Sequence, residues 1–146
     1  RGISTPAGFQ MSGTAAATGD VFEILPEHGS DYAVPTDYSS VTGAPLVFSV
    51  MVYASQPTTI ANVFIWDGAG GHATYSGFNG SVPAGAWTNI VVPIGTNLSI
   101  SGASSPWIMS AGAGIDWSQI NACGFDFATG TGAYTIVIDD MDFVKN

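Results

Sequence analysis

Between Ala61 and Phe78, in ANVFIWDGAGGHATYSGF, Trp66 closes one apolar alternation beside Asp67, and His72 and Tyr75 open the next across a glycine-rich loop. Asn62, Phe64 and Trp66 share a strand face opposite Val63 and Ile65. Tyr53 and Ser49 fall on the equivalent face of PLVFSVMVYAS, opposite Leu46, Phe48, Val50 and Val52. A strand of a sandwich gives one face to the core, so the second face meets solvent or a ligand. Aromatic rings mixed with amides and hydroxyls suit a sugar. The rings stack on its C–H face, while Asn, Gln and Asp side chains bond its hydroxyls. Gln119 and Asp126 are further candidates for the second task.

Other aromatic residues read differently. Trp107 follows Pro106 and Trp117 follows Asp116, both at loop-to-strand junctions, where a ring either lines a cleft edge or caps the core. His72 and Tyr75 either add a polar wall or decorate a hairpin. Trp87 opens a strand after a turn and is expected to pack structurally, and Phe48, Phe125, Phe127 and Phe143 to fill the core.

Catalysis is the sharper alternative and the residues resist it. Glycoside hydrolysis uses two carboxyls about 5 to 9.5 Å apart. Glu23 and Glu27 are the only glutamates, and Pro26 between them argues against a helix. An extended segment sets them roughly 13 Å apart. A pair of aspartates, such as Asp67 with Asp126, stays open. A lyase or a serine triad would have to use His28 or His72, and no Gly-x-Ser-x-Gly elbow is present. Near the C-terminus, IDDMDF brings Asp139, Asp140 and Asp142 together with no cation nearby. Calcium would relieve their repulsion, with Asp20 or Glu23 completing the site.

Charge narrows the partners. Arg1 and Lys145 are the only Lys or Arg residues, and the formal net charge is −9. A polyanion would be repelled, so nucleic acid is excluded and acidic membranes and anionic metabolites are disfavoured. A neutral ligand or a cation remains. Cys123 is the single cysteine, so no intrachain disulfide forms, and it reads as a small buried hydrophobe.

These residues need elements to hold them. At 146 residues, the chain suits a single domain over 1–146, and no apolar run reaches the roughly 20 residues that cross a bilayer. PLVFSVMVYAS, IANVFIWD, AWTNIVVPIG, INACGFDFATG and AYTIVIDDMDFV alternate as strands. Weaker strand signals lie near DVFEIL, HATYSGF and PWIMSAG, and Asp116 could cap a turn at DWSQI. Turn-rich connections with almost no helical period predict an all-β antiparallel sandwich or jelly roll. The start at Arg1, without Met or a signal pattern, fits a mature or excised piece of something longer, and a secreted, extracellular setting is the expectation.

Three of these stretches resemble jelly-roll carbohydrate-binding modules of modular bacterial cellulases and hemicellulases. AWTNIVVPIG is similar to their Trp-x-x-Val-x-Val-Pro strand, INACGFDFATG to their penultimate strand and AYTIVIDDMDFV to their closing Tyr-x-Ile-Asp-Asp strand. The resemblance, over about residues 44 to 144, implies two face-to-face sheets and a concave cleft for a β-glucan chain. It also implies a structural calcium, which would fall on Asp139 or Asp140. The expectation is therefore a monomeric, non-catalytic module that targets a covalently linked glycoside hydrolase to a neutral plant cell-wall polysaccharide, a β-glucan or xyloglucan. The alternatives are a small hydrolase using paired aspartates and a cell-surface adhesion or structural module.

Overall fold

The computed structural model describes residues 9–24, 46–95 and 107–145. Glu27 and His28 lie outside these described residues. The fold is an all-β antiparallel sandwich of jelly-roll type. Among the described residues it has nine strands: β1 (Phe9–Ala15), β2 (Val21–Ile24), β3 (Leu46–Ala54), β4 (Thr58–Asp67), β5 (His72–Val82), β6 (Trp87–Gly95), β7 (Trp107–Ala111), β8 (Ile120–Thr129) and β9 (Gly132–Lys145). One sheet has the order β1-β9-β3-β6, the other β2-β8-β4-β5-β7, and every ladder between named strands is antiparallel.

The period of two in the sequence becomes the core. Phe48, Val50 and Val52 of β3, Ile90 and Val92 of β6, and Ile136 and Ile138 of β9 turn inward from the first sheet. Val63 and Ile65 of β4 and Phe125 and Phe127 of β8 meet them from the second. Phe48 and Phe125 stack across the two sheets with centroids 5.4 Å apart. Burying such a ring fully contributes about 2–3 kcal/mol. Phe143 is placed by its backbone, opposite Phe48 in the ladder.

One irregularity decides what faces outward. Along β4, Thr58 and Ile60 are buried, and then Val63 and Ile65 are buried instead of residues 62 and 64. The register slips between Ile60 and Asn62 against both β5 and β8. Ala61 is the inserted residue of a bulge, and a one-residue insertion exchanges the two faces of everything beyond it. Asn62, Phe64 and Trp66 are turned outward by that slip. A second slip, between Ser49 and Met51 against β9, sets Asp140 and Met141 opposite Val50, with Asp140 at φ 47°. It interrupts the alternation through IDDMDF, so Asp140 and Asp142 are not consecutive positions of one regular strand face.

β1 has no counterpart among the expected strands. Gln10, Ser12 and Thr14 are exposed and polar, and its inward positions are Met11, Gly13 and Ala15. Gly13 is required there because a Cβ would stand 2.6 Å from the Tyr134 hydroxyl. An edge strand with one polar face and small residues on the other carries almost no hydrophobic period.

Candidate functional site

The outer face of the five-stranded sheet gathers Asn62, Phe64, Trp66, His72 and Asp126, half of the expected contact residues, into three rows across the strands. Asn62 of β4 lies between Asp126 of β8 and Ser76 of β5, with Glu23 of β2 beyond Asp126. Phe64 lies between Gly124 and Thr74, with Ile108 of β7 beyond Thr74. Trp66 lies between Ala122 and His72.

Each row has its own chemistry. The Trp66 indole and His72 imidazole stack at 4.7 Å with only 21° between their planes, so that the imidazole backs one face of the indole at the end of the strand pair. Phe64 is half-buried and Ile108 is 47% exposed, so the middle row is apolar and reachable. The third row is polar: Asn62 donates from Nδ2 to Asp126 Oδ2 at 2.7 Å. This fixes the amide orientation and places an amide and a carboxylate side by side, a pairing suited to the adjacent hydroxyls of a sugar.

The glycine-rich loop is held from below. Asp67 ends β4 pointing inward and is 5% exposed. Its Oδ1 accepts from the N–H groups of Ala69 (2.9 Å) and Gly71 (2.6 Å), and its Oδ2 accepts from the N–H of Asp116 (2.6 Å). One carboxylate therefore ties the β4–β5 loop to the β7–β8 loop. Gly70 adopts φ +89°, and Gly71 sits where a Cβ would meet the Asp67 carboxylate and stand 2.6 Å from the Gly114 carbonyl. Close packing thus explains part of the run of glycines. Asp116 in turn caps the turn at 116–119. Its carboxyl is held below the usual Asp range by the Ser118 hydroxyl first, then the Gln119 amide and the Ser118 N–H. Gln119 is committed to that turn at 2.5 Å, and with Asn121 it crowds Gly68, one residue past Asp67.

Several expected contacts are corrected. Trp107 is 3% and Trp117 6% exposed, and both belong to the core cluster, so neither lines a cleft. Trp107 Nε1 donates to the Pro93 carbonyl of β6 at 3.0 Å, which ties the two sheets together and gives its buried N–H a partner. Tyr75 sits opposite Val63 on the inner face and packs edge-on against Trp107 at 5.4 Å and Phe78 at 5.3 Å. Tyr53 belongs to β3 of the other sheet, so it cannot share one platform with Trp66. Trp87, expected to be packed away, is 50% exposed and lies against Tyr53. Thr74 and Ile108 were missed because their strands carry weak alternation. Cross-strand register, which one sequence does not state, is what brings them beside Phe64.

The two acid sets dissolve as well. Asp126 stands opposite Asn62, five residues along β4 from Asp67, a separation of about 16 Å in an extended strand. The two also occupy opposite faces, so they do not form a hydrolytic pair of about 5 to 9.5 Å. Asp139 and Asp140 belong to the four-stranded sheet and Glu23 to the five-stranded one, while Asp20 caps its own turn through the N–H groups of Ala16 and Ala17, both at 2.8 Å. The described side chains of the residues expected to share a calcium ion are therefore not brought together, and those of Glu23 and Asp142 lie outside the described set. Among the described residues, no three His, Cys, Asp or Glu side chains converge on one point.

No protein-family model and no curated protein matches the chain. Solved structures do. The agarase AgWH50C aligns over 94% of this chain and 22% of its own at 12% identity with a TM-score of 0.58. An exo-beta-agarase aligns over 95% of this chain and 20% of its own at 15% identity with a TM-score of 0.56. A CBM4 structure aligns over 98% of this chain and 86% of its own at 11% identity with a TM-score of 0.49. At these identities the likeness to the agarases shows the fold alone, and the chain spans about a fifth of their length.

Proposed function

We propose that this chain is a non-catalytic carbohydrate-binding module that holds a neutral polysaccharide on the outer face of the five-stranded sheet. The observation that carries this is the three-row surface, with the Trp66–His72 stack, an apolar strip at Phe64 and Ile108, and the Asn62–Asp126 pair. The indole face turned away from His72 would stack on one sugar ring, and the amide and carboxylate would take the hydroxyls of its neighbours. With no Lys or Arg between residues 2 and 144, the surface suits an uncharged polymer. A β-glucan or xyloglucan is the first choice, and the agarase neighbours add agarose as a second neutral candidate. Secretion and an appended glycan-active enzyme belong to the same proposal.

The test is affinity electrophoresis in gels containing xyloglucan, mixed-linkage β-glucan, hydroxyethylcellulose or xylan, with sedimentation on agarose beads and a polyuronate as anionic control. Dissociation constants from micromolar to millimolar correspond to about −8 to −4 kcal/mol. Losing a main aromatic anchor costs about 2 kcal/mol, roughly thirtyfold. Retardation by a neutral polymer that Trp66→Ala weakens by about tenfold or more is the expected result. No retention by any neutral polymer would refute the proposal, as would reducing-sugar release by the isolated chain.

A further inference from the structure

The four-stranded sheet carries an aromatic surface of its own on the opposite side of the molecule. Trp87 and Tyr53 are direct cross-strand partners of β6 and β3, with centroids 5.8 Å apart and planes tilted by 50°. The row continues through Val137 of β9 to Gln10 of β1. The next row toward the far end of β3 holds Asp139, Met51 and Asn89, followed by Ser49 beside Val91, which is 45% exposed. Tryptophan is among the more deeply buried residues on average, yet this one is half exposed and flanked by another ring. Isolated exposed apolar residues need no explanation; an in-register row of them does.

The surroundings identify the occupant. The rings are not set among apolar residues alone, as at the centre of a protein interface. Val137 and Gln10 share their row, Met51, Asn89 and Asp139 stand one step along the strands, and Ser49 stands a further step on. Asn89 accepts the Ser49 hydroxyl on Oδ1 at 2.9 Å, which leaves its amide N–H groups to donate outward. No Lys or Arg lies between residues 2 and 144, and Asp139 adds a negative charge, so an anionic partner is excluded here too. Rings side by side at 5.8 Å, near the length of one sugar unit and tilted rather than coplanar, suit successive residues of a twisting chain.

We propose that Trp87 and Tyr53 form a second binding surface for a neutral glycan, separate from the Trp66 face, so that one molecule bridges two polysaccharide strands. The ligand class rests on the function proposed above; the site does not. Two packed sheets are about 10 Å apart, so their outer faces lie too far from each other for one sugar ring to touch both. Two weak sites on one rigid body raise retention on a multivalent polymer by about a hundredfold or more over either site alone.

The experiment compares wild type, Trp66→Ala, Trp87→Ala and the double variant, each checked for unchanged near-ultraviolet circular dichroism. Calorimetric titration uses a soluble oligosaccharide of the polymer that wild type binds, beside retention on that polymer. The expected result is two oligosaccharides bound per wild-type chain, one per single variant and none for the double, with at least a tenfold loss of retention in Trp87→Ala. One bound oligosaccharide, abolished by Trp66→Ala and untouched by Trp87→Ala, overturns the second site and leaves the first standing. Trp87→Ala that leaves glycan binding intact but changes the sedimentation of the protein also overturns it, in favour of a protein contact. If wild type binds no neutral glycan, the proposed function falls first and this site with it.

Discussion

Asp67 shows why a residue that looks functional from its neighbours can be structural. It stands beside Trp66 at the mouth of a flexible-looking loop, where a carboxylate invites a catalytic or hydroxyl-binding role. Its two oxygens are instead occupied by three backbone N–H groups. Asp67→Ala leaves those donors without an acceptor, at about 1–3 kcal/mol for each donor that stays buried, and the Gly71 N–H is the buried one. The expected outcome is a loss of about 3 kcal/mol in urea-induced unfolding, with glycan binding weakened because the Trp66–His72 strand end frays. Stability unchanged within 0.5 kcal/mol would mean that water replaces the carboxylate, removing the clamp as the reason the loop is ordered (threshold from typical surface substitutions of about 0.5 kcal/mol).

The turn at 116–119 is the element through which pH reaches this end of the sandwich. Hydrogen bonds from the Ser118 hydroxyl, the Gln119 amide and the Ser118 N–H favour the ionised Asp116 carboxyl, so its value in the fold lies below the usual one. A lowered native value means that the contribution is complete above the unfolded-chain value of about 3.9 and drains away as the pH falls through the native value. Melting temperatures of wild type and Asp116→Ala are therefore expected to differ by a constant amount from pH 5 to 8 and to draw together as the pH falls below about 4. A gap that does not narrow at all on acidification would assign the effect to packing rather than charge. That Asp116 caps a turn was legible in the sequence, since a side-chain acceptor followed by Ser and Gln reads locally. So were the strands with full apolar alternation, and the sandwich they imply. Less was legible where the answer depends on register. The Ala61 bulge, the sheet to which Tyr53 belongs and the neighbours of Phe64 are set by pairings between distant segments. The polar edge strand β1 left almost no hydrophobic period to read. The sequence leaves Trp107 open and points Trp87 inward, because a tryptophan at a strand start looks the same whether its ring turns toward the other sheet or away from it.

At the scale of the whole molecule, charge offers the broadest test. The chain carries a formal net charge of −9, with both fixed cations within two residues of its ends. Such a surface repels polyanions and attracts polycations, and both effects are screened within about 10 Å at 0.1 M salt. A neutral glycan held by ring stacking and hydroxyl hydrogen bonds releases no counterions on binding, so its affinity has no reason to follow ionic strength. The dissociation constant for the retained polysaccharide is expected to change less than about twofold between 0.05 and 0.5 M sodium chloride. The same measurement with a basic protein or polyamine would show affinity falling steeply over that range. Glycan binding that weakened tenfold with salt would mean that charge, not the aromatic rows, supplies the attraction. Both proposed faces would then lose their common physical basis, because neither offers a cation between residues 2 and 144 with which to hold an anionic contaminant of the polymer.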